Sequence, residues 1–388
     1  MKKILGSTKG ALALALIVAL SGVTAYGADT NSGTEAVSTQ LEQTVPVLTY
    51  KEALEKAKSH SVDLRDLAKA TDYLQDVKGD VWDRVGSFAN PTYDYQQWVD
   101  DAVYAYSSSI YTTNSSLTKN KYTTKITNLM LEATLKSTFS SIVQNENNLE
   151  LLKETSEIKK TLYEQGQKKY ELGMISQYKL DQLKADYEES KVDVYQLEKT
   201  LEQMYTSLND LMGESVDKAY TVEYNVEFEP YVLSVSMESF INASINSDYS
   251  ILLKEQAVED AKFTKNYLAE SDNSSNKSKK YAYESAQRTL KAAKEDKGIA
   301  IRNAYVALQQ AESNYNQAVA DLTQAQADLK TSEVNYQVGN ITELTLKQSQ
   351  LGVTQKKIAL EKIVYSYDMQ VFAFKNSSLI SSGSAEQE

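Results

Sequence analysis

The sequence predicts a mainly α-helical protein, built from long antiparallel helical hairpins in two tandem repeats. Turn residues are scarce: the 388-residue chain has only 14 glycines and 3 prolines. Average usage of about 7% glycine and 5% proline predicts roughly twice as many glycines and six times as many prolines. Apolar residues recur at alternating steps of three and four, the spacing of a helical seam. A glycine-containing motif also occurs twice, once in each half of the chain, as expected for two copies of one hairpin.

The N-terminus has the pattern of a secretory signal peptide over residues 1–27. Lys2 and Lys3 precede an apolar run at residues 11–20, and small residues place a cleavage site before Ala28. A retained membrane anchor is the alternative interpretation. The run is short for that role, because a membrane-spanning helix needs about 20 apolar residues.

Composition and repeats divide the rest of the chain. The Ser/Thr-rich stretch before the first repeat predicts a flexible leader, and the polar tail from Ser377 predicts flexibility as well. The predicted segments are a leader at 28–46, a first repeat at 47–213, a β linker at 214–235, a second repeat at 236–378 and a disordered tail at 379–388.

Each repeat is expected to open with a short capped helix. Thr49 and Glu52 have the spacing of a capping box, and Ser236 with Ser239 predicts a cap at the corresponding place in the second repeat. After each of these helices we align Asp63 with Asp248. The two repeats therefore share the pattern of their opening helix as well as the glycine-containing motif.

Long heptad seams follow in both repeats. The alternating three-four spacing predicts helices that pack along their length on partner helices of this chain or of other subunits. Ser190 interrupts the first series. The first seam is Leu180, Leu183, Tyr187, Val194, Leu197, Leu201, Met204, Leu208 and Leu211, and the second is Ala304, Leu308, Ala311, Tyr315, Ala318, Leu322, Ala325 and Leu329.

The repeated motif predicts the tip of each hairpin. Gly173 and Gly339 suit the left-handed position that ends a helix, and Ser176 and Thr342 suit the N-cap of the next one. Ile175 and Ile341 occupy the same place in the two copies. These motifs predict turns between antiparallel helices, as in a simple scaffold of helical hairpins.

Between the repeats, residues 220–228 alternate apolar and polar side chains up to Pro230. Strict alternation is typical of a half-buried strand. We therefore expect one short β element in the linker.

Composition argues against several classes of function. The chain has no cysteine, one histidine, His60, and a net charge of −12. These counts argue against thiolate or histidine metal sites, catalytic Ser-His pairs and nucleic-acid binding. No Glu-x-x-His spacing exists for a di-iron bundle. We expect no catalytic residue, no cofactor and no metal, and therefore not an enzyme.

The motifs together resemble the TolC family of outer-membrane efflux proteins. The opening helix carries the L-T-x-x-E-A-L-x-x-A pattern at residues 48–57, and the Y-x-x-G-x-[IV]-[ST] tip occurs at 170–176 and again at 336–342. The resemblance covers residues 47–378. It implies a homotrimer whose coiled-coil helices form a hollow α-barrel, an export duct that docks a periplasmic adaptor and an inner-membrane ABC or RND pump. It also implies the cell envelope, specifically the outer membrane.

The sequence departs from that family in two places. Residues 265–285 are polar where a membrane β-hairpin is expected, and residues 88–111 predict either one strand or an amphipathic helix. The β-barrel is therefore expected to be reduced or lost, which would leave weak membrane contact or a soluble extracytoplasmic protein. The acidic residues that can close the family's duct are also missing. Thr345 and Gln348 stand at those positions, and Asp181 is the nearest acid after the first tip.

Two functions follow from the sequence. The first is a passive export duct whose tips, at Gly173, Ile175, Ser176, Gly339, Ile341 and Thr342, bind the adaptor. The second is a coiled-coil spacer of the cell envelope that has no pore, in an organism without an outer membrane.

Overall fold

A computed structural model describes residues 46–87, 95–267 and 273–381. The predicted signal peptide, the leader up to residue 45 and the last residues of the predicted tail lie outside the described residues. The elements are, in chain order, β1 (Val47–Thr49), α1 (Tyr50–His60), α2 (Val62–Ser87), α3 (Tyr95–Glu171), α4 (Gln177–Met212), β2 (Thr221–Glu223), α5 (Met237–Ser247), α6 (Tyr249–Tyr267), α7 (Asn273–Gln337), α8 (Glu343–Lys375) and a 3-10 helix (Ser377–Leu379).

The helices fall into two repeats with the same order, α1–α4 and α5–α8. Each repeat has a short helix, a helix of intermediate length and two long helices joined at a tip. Thr49 and Glu52 form the predicted capping box, and the Ser236 side chain accepts a hydrogen bond from the Ser239 amide. The predicted fold class, mainly α with tandem helical hairpins, is confirmed.

The four long helices are packed as a row. α4 packs on α3, α3 packs on α8, and α8 packs on α7. α4 and α7 are therefore the two edges of the row, and the described residues do not pack these two helices on each other. At 1.5 Å per residue, the 77 residues of α3 extend about 115 Å.

Both predicted seams face their partner helices. Their members are buried or half-buried throughout, while the positions between them are mostly exposed. The interruption at Ser190 is explained by the packing: this side chain is buried, its hydroxyl donates to the Tyr187 carbonyl at 2.7 Å, and it lies 3.0 Å from the Ser156 hydroxyl of α3, within hydrogen-bond distance. A buried polar group needs such partners, and here they keep a serine inside the seam.

The β element is shorter than predicted. Only Thr221–Glu223 forms a strand, which pairs in parallel with Val47–Thr49, a partner that the sequence pattern did not identify. The alternation is real over residues 220–228, since Tyr220, Val222 and Tyr224 are buried. Beyond Glu223 the chain packs its apolar face on helices rather than on another strand.

The core has two parts, one centred in each repeat. The first part centres on Leu135, Phe139 and Leu208, and the second on Ile301 and Phe374. The Lys136 ammonium forms an ion pair with the Asp368 carboxylate of α8 at 2.8 Å. This pair links the first hairpin to the second.

The two stretches in which the family resemblance predicts strands are helical where the structure describes them. Residues 95–111 belong to α3, and residues 262–267 and 273–290 belong to α6 and α7. Of the two interpretations of 88–111, the structure therefore shows helix from Tyr95 onward. Residues 88–94 and 268–272 lie outside the described residues.

The chain after α8 is ordered further than predicted. Ser377–Leu379 forms a 3-10 helix, and Ser377 is buried. The Lys297 ammonium donates to the carbonyls of Ser377 at 3.1 Å and Ile380 at 2.8 Å. The expectation of flexibility from Ser377, with disorder from 379, is wrong for these residues because Lys297 holds their backbone.

The alignment of Asp63 with Asp248 is also wrong. Asp248 separates α5 from α6, and the residue that separates α1 from α2 is Ser61. Their side chains make the same bond: Ser61 Oγ accepts from the Leu64 amide at 3.3 Å, and Asp248 Oδ1 accepts from the Ile251 amide at 3.2 Å. Asp63 itself is exposed.

Candidate functional site

The candidate site consists of the two hairpin tips, where the chain reverses between long helices. At the first tip Gly173 has φ of 70°, its amide donates to the Tyr170 carbonyl, and the Met174 amide donates to the Lys169 carbonyl. This pair of bonds is the Schellman motif, which satisfies the last carbonyls of a helix and requires the left-handed conformation at the glycine. The Ser176 side chain then caps α4 by accepting from the Lys179 amide at 3.3 Å.

The second tip repeats this geometry. Gly339 has φ of 77°, and the amides of Gly339 and Asn340 donate to the carbonyls of Tyr336 and Asn335. The Thr342 side chain caps α8 by accepting from the Thr345 amide at 3.2 Å. The local sequence thus builds the same turn twice, as the repeated glycine and cap residues predict.

The two tips lie at the same end of the helical row. Asn147 of α3 donates to Glu361 of α8 at 2.7 Å. From that contact, α3 continues along the chain to Gly173, and α8 leads back along the chain to Gly339. The Lys136–Asp368 pair lies farther from both tips, so the C-terminal end of α3 and the N-terminal end of α8 point the same way and the two helices are antiparallel. At the rise of an α-helix, the distances from the contact to the two glycines are about 39 Å along α3 and about 33 Å along α8.

Apolar side chains next to the tip glycines are open to solvent. Leu172 is 75% exposed and Met174 is 68% exposed at the first tip, and Val338 is 65% exposed at the second. Ile175 and Ile341, the apolar residues that the motif singled out, are half-buried. The exposed apolar surface is therefore provided by neighbours of the glycines that the sequence reasoning missed.

Solved structures resemble this chain over most of its length. An outer membrane channel of Campylobacter jejuni, CmeC, is 13% identical and covers 93% of this chain and 95% of its own, with a TM-score of 0.58. The outer membrane protein VceC of Vibrio cholerae is 14% identical, with coverage of 85% and 96% and a TM-score of 0.56. A membrane protein of Pseudomonas aeruginosa is 10% identical, with coverage of 90% and 96% and a TM-score of 0.62. No protein-family model matches the sequence, and no curated protein is significantly similar to it.

The chain has a TolC-like fold. The resemblance that the opening and tip motifs indicate is thereby confirmed at the level of the fold. Among the described residues, none of the helices combines the length and the apolar character needed to cross a membrane.

Asp181, Thr345 and Gln348, the residues expected near an aperture, lie close to the tips in sequence but on different hairpins of this TolC-like fold. Asp181, on α4, is exposed and accepts from the Gln177 amide group at 2.8 Å. Thr345 and Gln348, on α8, are exposed too, and the Thr345 hydroxyl lies 3.0 Å from that of Thr342. In the described part of the chain, no hydrogen bond or ion pair joins Asp181 to either of them.

Polar groups elsewhere in the structure serve the fold. His60 ends α1, and its ring occupies the space where a side chain at Gly213 would lie. Across residues 46–87, 95–267 and 273–381, no group of three or more His, Cys, Asp or Glu side chains could hold a metal ion.

An open cleft of about 720 Å³ lies between α3, α4 and the approach to β2. Its Tyr205 hydroxyl donates to the Glu146 carboxylate at 2.5 Å, and its Tyr220 hydroxyl donates to the Asn209 side chain at 2.7 Å. Burial, helped by the bond to Glu146, raises the pKa of the Tyr205 hydroxyl well above its usual range. Burial raises the pKa of the Tyr220 hydroxyl as well, so both tyrosines remain protonated at neutral pH and act as structural hydrogen-bond donors.

Proposed function

We propose that the protein is a passive export duct of the cell envelope, formed by a ring of identical chains. Each chain contributes its row of four long helices as one section of the wall, and three chains complete the tube. The observation that carries the proposal is the position of both hairpin tips at one end of the row, so that every chain presents two tips to the same side. The resemblance to outer membrane channels over most of both chains supports it.

The tips are proposed to bind a periplasmic adaptor protein, which connects the duct to an inner-membrane ABC or RND pump. Six residues fix the shape of the docking surface: Gly173, Ile175, Ser176, Gly339, Ile341 and Thr342. Leu172, Met174 and Val338 would supply its contact area, because exposed apolar side chains gain free energy when a partner removes them from water. Docking would therefore depend mainly on side-chain packing.

Transport through such a duct is passive, and the pump supplies the energy. Asp181, Thr345 and Gln348 are proposed to line the narrow end, where Asp181 is the only charged member of the three. We place the duct in the outer membrane or the adjoining envelope, after export directed by the signal peptide.

The duct is tested by native mass spectrometry and electron microscopy of the purified mature chain. We expect a trimer with a hollow centre. A monomer, or a solid assembly without a lumen, would instead favour the coiled-coil spacer of the cell envelope.

Docking at the tips is tested by replacing exposed valines with aspartate. Val338→Asp is expected to abolish co-purification of an adaptor of the membrane-fusion class from chemically cross-linked source cells, because a charge would be placed in an apolar contact. Val232→Asp is the matched control, since Val232 is 80% exposed but lies in the linker, far from the tips in sequence. Both variants should keep the helical circular dichroism of the wild type. Equal recovery of the adaptor with both variants would place docking elsewhere.

A further inference from the structure

The second repeat shows, among its described residues, no counterpart of the short β-sheet that opens the first. In the first repeat, β1 leads into the capped helix α1 and pairs in parallel with β2, which follows α4. The corresponding residues before α5, Ser234 and Val235, form no strand. An apolar residue is thereby left uncovered. Leu48 of β1, one position before the cap Thr49, is 6% exposed, whereas Val235, one position before the cap Ser236, is 52% exposed.

The backbone beside Val235 is also unpaired. In the first repeat the Pro46 carbonyl accepts from the Thr221 amide at 3.0 Å, directly ahead of the paired strands. Leu233 is the counterpart of Pro46, because each precedes its helix cap by the same number of positions. In the described part of the chain, no hydrogen bond reaches the carbonyls of Leu233 and Val235. Unpaired backbone groups of this kind are a template for the addition of a strand.

The chain that leaves α8 passes close to this segment. Ile380 packs on the same core cluster as Leu233 and Met237. Lys297 fixes that position, because its ammonium donates to the Ile380 carbonyl at 2.8 Å. Residues 382–388 continue from there and lie outside the described residues. They can reach the linker, since each residue of an extended chain spans about 3.3–3.6 Å.

The tail sequence repeats the pattern of β2 at the same distance from the preceding helix. Ala385 follows Asn376, which ends α8, by as many positions as Val222 follows Gly213, which ends α4. Around these residues the first repeat reads Thr-Val-Glu and the tail reads Ser-Ala-Glu. A hydroxyl, an apolar and an acidic side chain therefore recur in the same order, with the apolar one at the position that is buried in β2.

We propose that residues 384–386 form a strand that pairs in parallel with residues 234–236, as β2 pairs with β1. Ala385 then lies opposite Val235 and removes apolar surface of that side chain from water. The tail fastens the linker to the end of α8, so the same kind of sheet closes both repeats. This pairing goes beyond the proposed duct and does not depend on it, because both strands belong to one chain.

The pairing provides partners for the open backbone groups. In a parallel ladder of this register, the Ser384 amide donates to the Leu233 carbonyl, which is the bond that the first repeat makes ahead of β1. The Glu386 amide donates to the Val235 carbonyl, and the Val235 amide donates to the Ser384 carbonyl. The Glu386 side chain faces solvent, as its counterpart Glu223 does.

Cysteine pairs test this register, because the chain has no native thiol. Neighbouring strands lie about 4.7–4.9 Å apart, which brings directly opposed residues into the range of a disulfide. Residues one position away point to the other face of the strand. Val235→Cys with Ala385→Cys is therefore the matched pair. Val235→Cys with Ser384→Cys, and Val235→Cys with Glu386→Cys, are the controls.

The matched pair should close a loop within one chain after mild oxidation of the purified mature protein. Non-reducing gels detect the loop by its altered mobility, and peptide mass spectrometry identifies the bond. We expect about tenfold more closure in the matched pair than in either control. Equal closure in all three, or none in the matched pair, would overturn the register. A disulfide that joins two chains would overturn the pairing of the tail with the linker of its own copy.

Hydrogen exchange tests the contact without cysteines. The variant Glu386→Pro removes one donor of the ladder, and Glu388→Pro is the matched control beyond the strand. Peptides that contain Val235 should exchange about tenfold faster in Glu386→Pro than in the wild type, because opening of the ladder frees the Val235 amide. They should be unchanged in Glu388→Pro. Equal exchange in the wild type and in Glu386→Pro would show that the tail does not cover the linker.

Discussion

The two repeats build the same junction between their first two helices with different chemistry. In the first repeat, the neutral hydroxyl of Ser61 caps α2, and the neighbouring His60 ring packs against Gly213 at the end of α4. In the second repeat, the Asp248 carboxylate takes the place of Ser61 and forms an ion pair with Lys297 at 3.1 Å. Both members of that pair are almost fully buried, with side-chain exposures of 0% and 4%.

The difference shows that the carboxylate is not needed for the turn itself, because Ser61 makes the equivalent bond. The additional role of the second junction is to hold the chain after α8. Lys297 binds both Asp248 and the carbonyls of Ser377 and Ile380. Burial alone would disfavour the charged carboxylate, but hydrogen bonds from Ser250 and the charge of Lys297 outweigh it and hold the pKa of Asp248 below its ordinary value.

Removing the caps at the two equivalent positions should give very different losses of stability. Asp248→Ala leaves the Lys297 charge buried without its partner, which typically costs about 3–5 kcal/mol. Ser61→Ala removes one neutral cap and should cost about 0.5–2 kcal/mol. Urea denaturation followed by circular dichroism measures both.

The double variant Asp248→Asn, Lys297→Met is the control, because it removes both charges and should recover most of the stability lost in Asp248→Ala. Equal losses for Asp248→Ala and Ser61→Ala would show that the ion pair contributes nothing beyond the cap.

Glycine substitutions extend the comparison to the helix ends. Gly213, which ends α4, has φ of 69°, while Asn376, which ends α8, has φ of −118°. Gly339→Ala at the second tip should cost about 1–2 kcal/mol, because only the left-handed backbone disfavours a side chain there. Gly213→Ala should cost more, since its new methyl group must displace the His60 ring. Urea denaturation measures both losses.

His60→Ala provides the control for this pair. In the His60→Ala background, the loss of stability caused by Gly213→Ala should fall to that caused by Gly339→Ala. The loss caused by Gly339→Ala should be the same with and without His60. A penalty at Gly213 that persists without the imidazole ring would contradict the role assigned to His60.

Local features of the fold could be predicted from the sequence. The caps at Thr49, Ser176 and Thr342 and the turns at Gly173 and Gly339 depend on side chains close by in the chain, and their pattern specifies them. Features that join distant segments could not be predicted in the same way. The strand partner Val47–Thr49 and the binding of residues 377–380 by Lys297 depend on which surfaces meet after the helices have packed.

The candidate site shows the same limit. Its backbone shape follows from the repeated motif, but the exposure of its apolar residues does not. Ile175 and Ile341 stand out in the sequence because they recur, yet packing half-buries them, while Leu172 and Val338 remain open on the other side of each glycine. Hydrophobicity alone does not tell which side of a turn faces solvent.

The smallest expected effect concerns the ion pairs that hold the chain just after α4 in the first repeat, which are more accessible to solvent than the Asp248–Lys297 pair. The Glu214 carboxylate pairs with Lys56 and Lys218, each at 2.7 Å, and these ammonium groups lower the pKa of Glu214 to about 2. A carboxylate whose folded pKa lies below its ordinary value of about 4.3 stabilises the fold above that value. The contribution then falls as the pH drops toward 2.

Glu214→Gln should therefore lower the urea midpoint slightly at pH 7 and not at pH 2. Because exposed charges are screened by salt, the difference at pH 7 should also disappear in about 1 M NaCl. The loss caused by Asp248→Ala should persist there, since its ion pair is shielded from solvent. A Glu214→Gln effect that survives high salt, or an Asp248→Ala effect that vanishes in it, would mean that the repeats do not differ in the way their burial indicates.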